Sequence, residues 1–400
     1  MRSDTDFDAI SLEELRQRQS SKWRDIPDEV LPAWVAEMDV PLAAPIREAL
    51  LAAVVHGDTG YVPEHPDVLA RAFAGFADRR FAWKVDPGAV SMVPDVTAGI
   101  WHVLRLVSHP GDEVVLFVPA YPPFFETILD CDRRIVRSRL RRENDRWIVD
   151  FQQLEQAFAG GARVLLLNNP HNPTGKVFAR EELELLLALA ERHDVFVVSD
   201  EIHAPLVLPP ATHIPWLTVA AGAAQRGVVL TAATKAFNIA GLKCGLLVAA
   251  GPARELMRRM PHEVAVMAGH FGFLASTVAF NHGDTWLDAL IEHLADARSL
   301  FGEVLAQQAP AARWVPPAAS YLAWVDLRET GLGPNPAKLI LQRSALALSP
   351  GRAYDPELGD GWVRMNFGTA KPLVREIVRR LGSAVRGGGR QPRNDEASVE

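Results

Sequence analysis

Five short runs of uninterrupted apolar residues punctuate the middle of this chain. They are Val114-Val115-Leu116-Phe117-Val118, Val164-Leu165-Leu166-Leu167, Val195-Phe196-Val197-Val198, Val228-Val229-Leu230 and Leu246-Leu247-Val248. Each is short and lacks polar alternation, so each predicts a strand covered on both faces. Between them, Glu181 to Arg192 carries Leu183, Leu186, Leu187 and Ala190 at helical spacing. That stretch is acidic at its start and basic at its end, as the helix dipole favours. Alternation of this kind predicts an α/β fold with a mostly parallel central sheet. Residues 1–48 are loop-rich, with a short helix from Leu12 to Arg18 and the extended run Trp34-Val35-Ala36-Glu37-Met38-Asp39. They are expected to pack with a small domain. A large domain is expected over 49–285. A helix from Thr285 to Gln307 then opens a smaller C-terminal α/β domain, 286–384, with strands at Tyr321–Leu327, Ala345–Leu348 and Trp362–Phe367. The tail, 385–400, is Gly-rich and then charged, a composition that predicts disorder.

The 400 residues are 48% hydrophobic and 23% charged, an ordinary soluble globular balance. A net charge of −7 gives no support for nucleic-acid binding. The basic cluster Arg133, Arg134, Arg137, Arg139, Arg141 and Arg142 is interrupted by acidic and apolar residues, and predicts a solvated strand or hairpin face. Cys131 and Cys244 are too few for a disulfide scaffold or a cysteine zinc site, and read as packed thiols in a reducing compartment. His262-Glu263 lacks a second His at position 266, so no metal site is expected. The N-terminus lacks the apolar core of a signal peptide. No apolar run reaches the roughly 18–20 residues that span a bilayer. A cytoplasmic protein without membrane contact is expected.

Three motifs carry chemistry. Lys235 lies in Thr231-Ala232-Ala233-Thr234-Lys235-Ala236-Phe237-Asn238, just past a buried strand. A lysine there is costly to bury and shifts its pKa readily, which suits a Schiff-base amine. Asp200 and Glu201 follow another strand, in Ser199-Asp200-Glu201-Ile202-His203, at the strand end where α/β sheets bind ligands. The segment Asn168-Asn169-Pro170-His171-Asn172-Pro173-Thr174-Gly175 is a strong turn signal. In this order, the three motifs resemble the fold-type I pyridoxal-phosphate (PLP) enzymes of the aminotransferase class I/II superfamily, over roughly residues 4 to 382.

The resemblance implies PLP as cofactor, with each service assigned to a residue. Lys235 would hold the aldehyde and move the substrate proton. Asp200 would keep the pyridine nitrogen protonated, with Glu201 not a cofactor partner. Asn172 would bond the phenolic oxygen, and His203 stands where many aminotransferases carry a Tyr donor to that oxygen. Tyr121, in Pro119-Ala120-Tyr121-Pro122, would stack on the ring. Val96 and Thr97, at the start of a helix, would offer backbone N–H groups to the phosphate. Asp95 replaces the usual Gly there, so its carboxylate is expected to point away from the anion. Ala232 and Lys243 replace a usual Ser and Arg; Thr231 or Thr234 and the Lys243 ammonium would substitute. Arg364, in Trp362-Val363-Arg364-Met365, would grip the substrate carboxylate, with Trp34 and Tyr121 as further substrate contacts.

Ser21-Lys22-Trp23, Trp34 to Asp39, Gly60-Tyr61, Asp-Glu-Ile-His and Ala347-Leu348-Ser349-Pro350-Gly351 are similar to the cystathionine β-lyase (C–S lyase) group of the maltose-regulon modulator type. That branch implies α,β-elimination from L-cystathionine or another S-substituted cysteine, giving a thiol (homocysteine), pyruvate and ammonia, a step in methionine biosynthesis. It also implies a homodimer in which Tyr61 reaches the neighbouring subunit's cofactor phosphate. An aminotransferase of the same fold and a PLP-binding regulatory protein are the alternatives.

Overall fold

The computed structural model describes residues 3–63 and 67–387. In chain order the strands are β1 (Leu31–Pro32), β2 (Val90–Val93), β3 (Glu113–Val118), β4 (Arg134–Glu143), β5 (Arg146–Val149), β6 (Val164–Asn168) and β7 (Phe196–Asp200). There follow β8 (Gly227–Thr231), β9 (Gly245–Ala249), β10 (Arg313–Trp314), β11 (Leu322–Asp326), β12 (Leu346–Ala347), β13 (Ser349–Pro350) and β14 (Trp362–Asn366). The five apolar runs became β3, β6, β7, β8 and β9, neighbours in an eight-stranded sheet ordered β2-β9-β8-β7-β6-β3-β4-β5. From β4 through β3, β6 and β7 to β8 the pairing is parallel. β9 and β5 pair antiparallel with their neighbours.

The runs are apolar throughout because both faces are covered. Val114, Leu116, Leu166, Val198 and Leu230 join one buried layer, while Val115, Phe117, Leu165, Val197 and Val229 join the other. Alternate side chains therefore meet opposite cores. Gly99 permits one close approach: a Cβ on it would lie 2.2 Å from Leu230 Cδ2, so a side chain there would lift the helix Val96–Val107 off β8.

Three expectations change. β2 was not anticipated, because Val90-Ser91-Met92-Val93 exposes Ser91 at the sheet edge and breaks the apolar pattern. The basic cluster does form a hairpin, β4 with β5, but it is not uniformly solvated. Arg133 is buried, bonding Ser108 Oγ and the carbonyls of Leu104, Ser108 and Cys131. Arg137 and Arg139 pair with Glu357, and Arg139 also with Asp355, tying the hairpin to the loop before β14. Finally, the run Ala345–Leu348 is not one strand. β12 pairs with β1, and β13 crosses to β14.

β10, β11, β14 and β13 form an antiparallel sheet, and the helices Asp284–Gln308 and Lys371–Val385 pack on each other beside it. Of the expected tail, 388–400 lie outside the described residues. Among the described residues no helix is long and apolar enough to cross a membrane, and no cluster of metal-binding side chains occurs. Cys131 and Cys244 are free and buried.

Candidate active site

A cavity of about 490 Å³ opens where the parallel strands end, lined by Ala36, Tyr121, Asn172, Asp200, His203, Thr234 and Lys235 among others. The sheet explains the convergence. Asn168 and Asp200 are adjacent partners at the ends of β6 and β7, and Lys235 follows β8 in the single helical turn Ala233–Ala236. Tyr121 comes three residues after β3 and precedes the helix Pro122–Asp130.

Asp200 is buried and accepts a hydrogen bond from Ile202 N–H (3.0 Å), with no cation in ion-pair range. Burial pushes its carboxyl up to about 7; the Ile202 N–H and the Lys235 charge oppose that rise, and the Glu201 charge adds to it. Lys235 donates to the Ala36 carbonyl (2.8 Å). Burial, then the nearby Arg364 cation, brings its amine down to about 8. His203 is buried, and its Nδ1 has no partner among the described residues. Desolvation, helped by the Lys235 and Arg364 charges, takes it down to about 3, so the imidazole is neutral.

Arg364 stands in β14 and is 4% exposed, yet it forms no ion pair among the described residues. Its Nη2 donates to the Trp34 carbonyl (2.6 Å) and Nη1 to Asn172 Oδ1 (3.3 Å), while Nε has no partner. The guanidinium lies over the Tyr354 ring, 5.1 Å from its centroid. Asn172 is fixed in turn, its N–H donating to Asn168 Oδ1 (2.7 Å). Burial raises the Tyr121 phenol above its ordinary pKa. Lys176, the neighbouring lysine, is committed to Glu182 at 2.7 Å and is not free for chemistry.

Val96 and Thr97 open a helix at the same cavity. Asp95 departs from expectation. Its carboxylate does not turn away from this helix start but caps it, accepting from Ala98 N–H (2.8 Å) and pairing with Lys243 (2.9 Å). A helix start has unsatisfied N–H groups, and a carboxylate answers them as well as a phosphate would. Thr231 Oγ1 reaches the Glu201 carbonyl (3.4 Å) instead of the cavity, whereas Thr234 lines it. Trp34 meets the site through its carbonyl; its indole is not among the residues lining the cavity. Tyr61 is 95% exposed and lies outside the cavity.

Sequence reasoning passed over Ala36, whose carbonyl receives both Lys235 and the Tyr321 hydroxyl (2.9 Å). It also passed over Tyr354 beneath Arg364. Neither belongs to a spaced motif, and only an aromatic ten residues before a buried Arg hinted at the second.

The chain matches the aminotransferase class I and II family over residues 30–381. It is 32% identical over 378 residues to cystathionine beta-lyase of Corynebacterium glutamicum, covering 94% of this chain and 99% of that one. It is 32% identical over 389 residues to cystathionine beta-lyase PatB of Bacillus subtilis, covering 93% and 98%. A solved structure from Corynebacterium diphtheriae, described as a PLP-dependent beta-cystathionase, superposes with a TM-score of 0.90 at 31% identity, covering 95% and 99%. With this fold, this order of motifs and these full-length relatives, the chain belongs to the aminotransferase class I and II family, in its carbon–sulfur lyase branch.

Proposed function

We propose that this chain is a PLP-dependent carbon–sulfur β-lyase that cleaves L-cystathionine or a related S-substituted cysteine to a thiol, pyruvate and ammonia. One observation carries the reading: buried Asp200 and half-buried Lys235 line one cleft, buried Arg364 reaches Asn172 at its wall, and among the described residues none of the three forms an ion pair. A buried charge without a partner is strongly disfavoured, so the three fit a ligand set that completes them. A protonated ring nitrogen answers Asp200, an aldehyde answers Lys235, and an amino-acid carboxylate answers Arg364. When bound, PLP supplies a ring that withdraws electron density from the substrate Cα, so that the Cα proton and then the β-sulfur can leave.

The protein's own residues do the rest. Asp200 holds the proton on the ring nitrogen. Lys235, its proton affinity lowered by burial to about 8, would take the Cα proton through its neutral amine, a form that grows as pH rises toward 8. Asn172 and the neutral His203 would serve the ring's phenolic oxygen, and Tyr121 would cover a ring face. Val96, Thr97, Thr234 and Lys243 form the anion cup, with Asp95 holding Lys243 at its rim. Arg364 would orient the substrate carboxylate, kept in aim by the Trp34 carbonyl and the Tyr354 ring. Supplied with cystathionine and no 2-oxoacid, the holoenzyme should release pyruvate, ammonia and homocysteine in equal amounts. Turnover that stops after one equivalent and resumes on adding 2-oxoacid would make it an aminotransferase instead.

The functional unit we propose is a homodimer in the cytoplasm. The helix Ala44–His56 leaves Leu51, Val54 and Val55 exposed, and Tyr61 follows close behind. A second copy of the chain would cover this apolar face and receive Tyr61 at its own anion cup.

A further inference from the structure

Glu201 follows Asp200 directly, yet its side chain does not join the cleft, which Asp200, Ile202 and His203 all line. It is 2% exposed and accepts three hydrogen bonds. Oε1 takes Ser199 Oγ (2.9 Å) and Trp216 N–H (2.8 Å), and Oε2 takes His213 Nε2 (2.9 Å). His213 and Trp216 are themselves buried, and the Phe81 ring meets the imidazole edge-on at 5.4 Å. Oε2 needs a donor, so the His213 proton sits on Nε2. His213 Nδ1 is buried and has no partner among the described residues.

Behind burial and the Ile202 N–H, the Glu201 charge is the next influence on Asp200, and it raises the proton affinity there. A buried ionic cluster is weak evidence for stability alone, because apolar packing of equal volume does as well. Its place next to Asp200 in the chain, held on the side away from the cleft, suggests another use. We propose that Glu201, fixed by His213, is a positioning residue that backs Asp200 electrostatically, its negative charge favouring a proton on the ring nitrogen that Asp200 faces. The inference rests on the lyase reading for that ring.

The groups facing Asp200 set the sign. Lys235, from the turn after β8, opposes proton uptake there, and Glu201 promotes it. Tyr121 faces Asp200 across the cleft, and His203 beside it is neutral. Arg364 and Lys243 act on Lys235 from beyond, with Glu37 opposing them. Removing the Glu201 charge therefore makes a cationic ring nitrogen harder to keep.

The test uses holoenzyme loaded with PLP labelled with ¹⁵N in the ring, whose chemical shift reports protonation of that nitrogen directly. In Glu201→Gln the protonation midpoint should fall by about one pH unit or more, a tenfold loss of proton affinity. His213→Leu should shift it the same way, and His213→Gln, which keeps an N–H donor, should restore it. Either Glu201→Gln or His213→Leu decides the matter if the other fails to fold. A midpoint unchanged from wild type in a folded, PLP-loaded variant would reduce the pair to a structural latch. Wild type that takes up no PLP would overturn the lyase reading and this inference together.

Discussion

Asp200 is buried with a single backbone donor, and that leaves a signature in the ligand-free protein. Its folded pKa, about 7, lies above the ordinary 3.8, so the native state binds the proton more tightly than the unfolded chain. Stability is therefore full below the unfolded value and is lost as pH rises through about 7. Ligand-free Asp200→Asn should lack this loss and unfold at a higher temperature than wild type at pH 8, read by calorimetry. PLP-loaded Asp200→Asn should still turn over, but about 10²-fold or more slowly, as for other preorganised electrostatic contacts. The lysine offers a second pH test. With Lys235 near 8, the rate of PLP uptake should rise with pH and level off above about 8, whereas an ordinary lysine would keep rising toward 10.5. Arg364→Ala should reduce kcat/KM by roughly 2–5 kcal/mol while leaving PLP absorbance intact, because a substrate carboxylate loses the buried guanidinium that would bind it. At this scale motif spacing foretold that Asn172, Asp200 and Lys235 meet at one cleft, because each follows the end of a parallel strand. It was silent where contacts form across long separations. Tyr354 under Arg364 and His213 beside Glu201 carry no motif, and the pairing of Asp95 with Lys243 spans 148 residues.

The segment from Trp34 to Val40 shows how an element without a ladder can be held rigidly. Asn366 Nδ2 donates to the carbonyls of Val35 and Glu37 (2.7 Å each), and Asn238 brackets Met38 through both its N–H and its carbonyl (2.8 Å each). Ser349 Oγ reaches the Trp34 carbonyl (2.8 Å). Below, Asp39 joins Lys22 (2.7 Å) and the Trp23 indole (3.1 Å), all three buried. Asp39→Ala would strand the Lys22 ammonium, and chemical denaturation should show a loss of about 3–5 kcal/mol. A loss below 1 kcal/mol would mean that water reaches Lys22. The run was legible as extended, but no pattern of apolar residues could show that side chains, rather than a neighbouring strand, satisfy its backbone. The same limit explains why β3, β6, β7 and β8 were read well, since burial on both faces marks the sequence, while β2 and the split between β12 and β13 left no mark.

On the scale of the molecule, the fold class was readable and the strand order was not, because which strands neighbour each other is settled by the packing of helices far apart in sequence. The proposed dimer gives a whole-molecule prediction. Lys235→Ala and Tyr61→Ala should each be nearly inactive alone, yet mixing and re-forming dimers should regain activity, since one site of each hybrid is complete. Equal mixing should approach about a quarter of the wild-type rate, as half the dimers are hybrids with one good site. No recovery would mean that Tyr61 serves its own subunit or none. One further feature is the meeting of distant chain segments, where Leu31 pairs with Leu346 and the Trp34 carbonyl receives Arg364. For a chain emerging from the ribosome, the lysine and its sheet arrive long before the grip that holds a substrate. A chain ending upstream of β12 would thus carry Lys235 and its sheet but lack Arg364, the partner strand of β1 and the Asn366 side chain that bonds Val35 and Glu37.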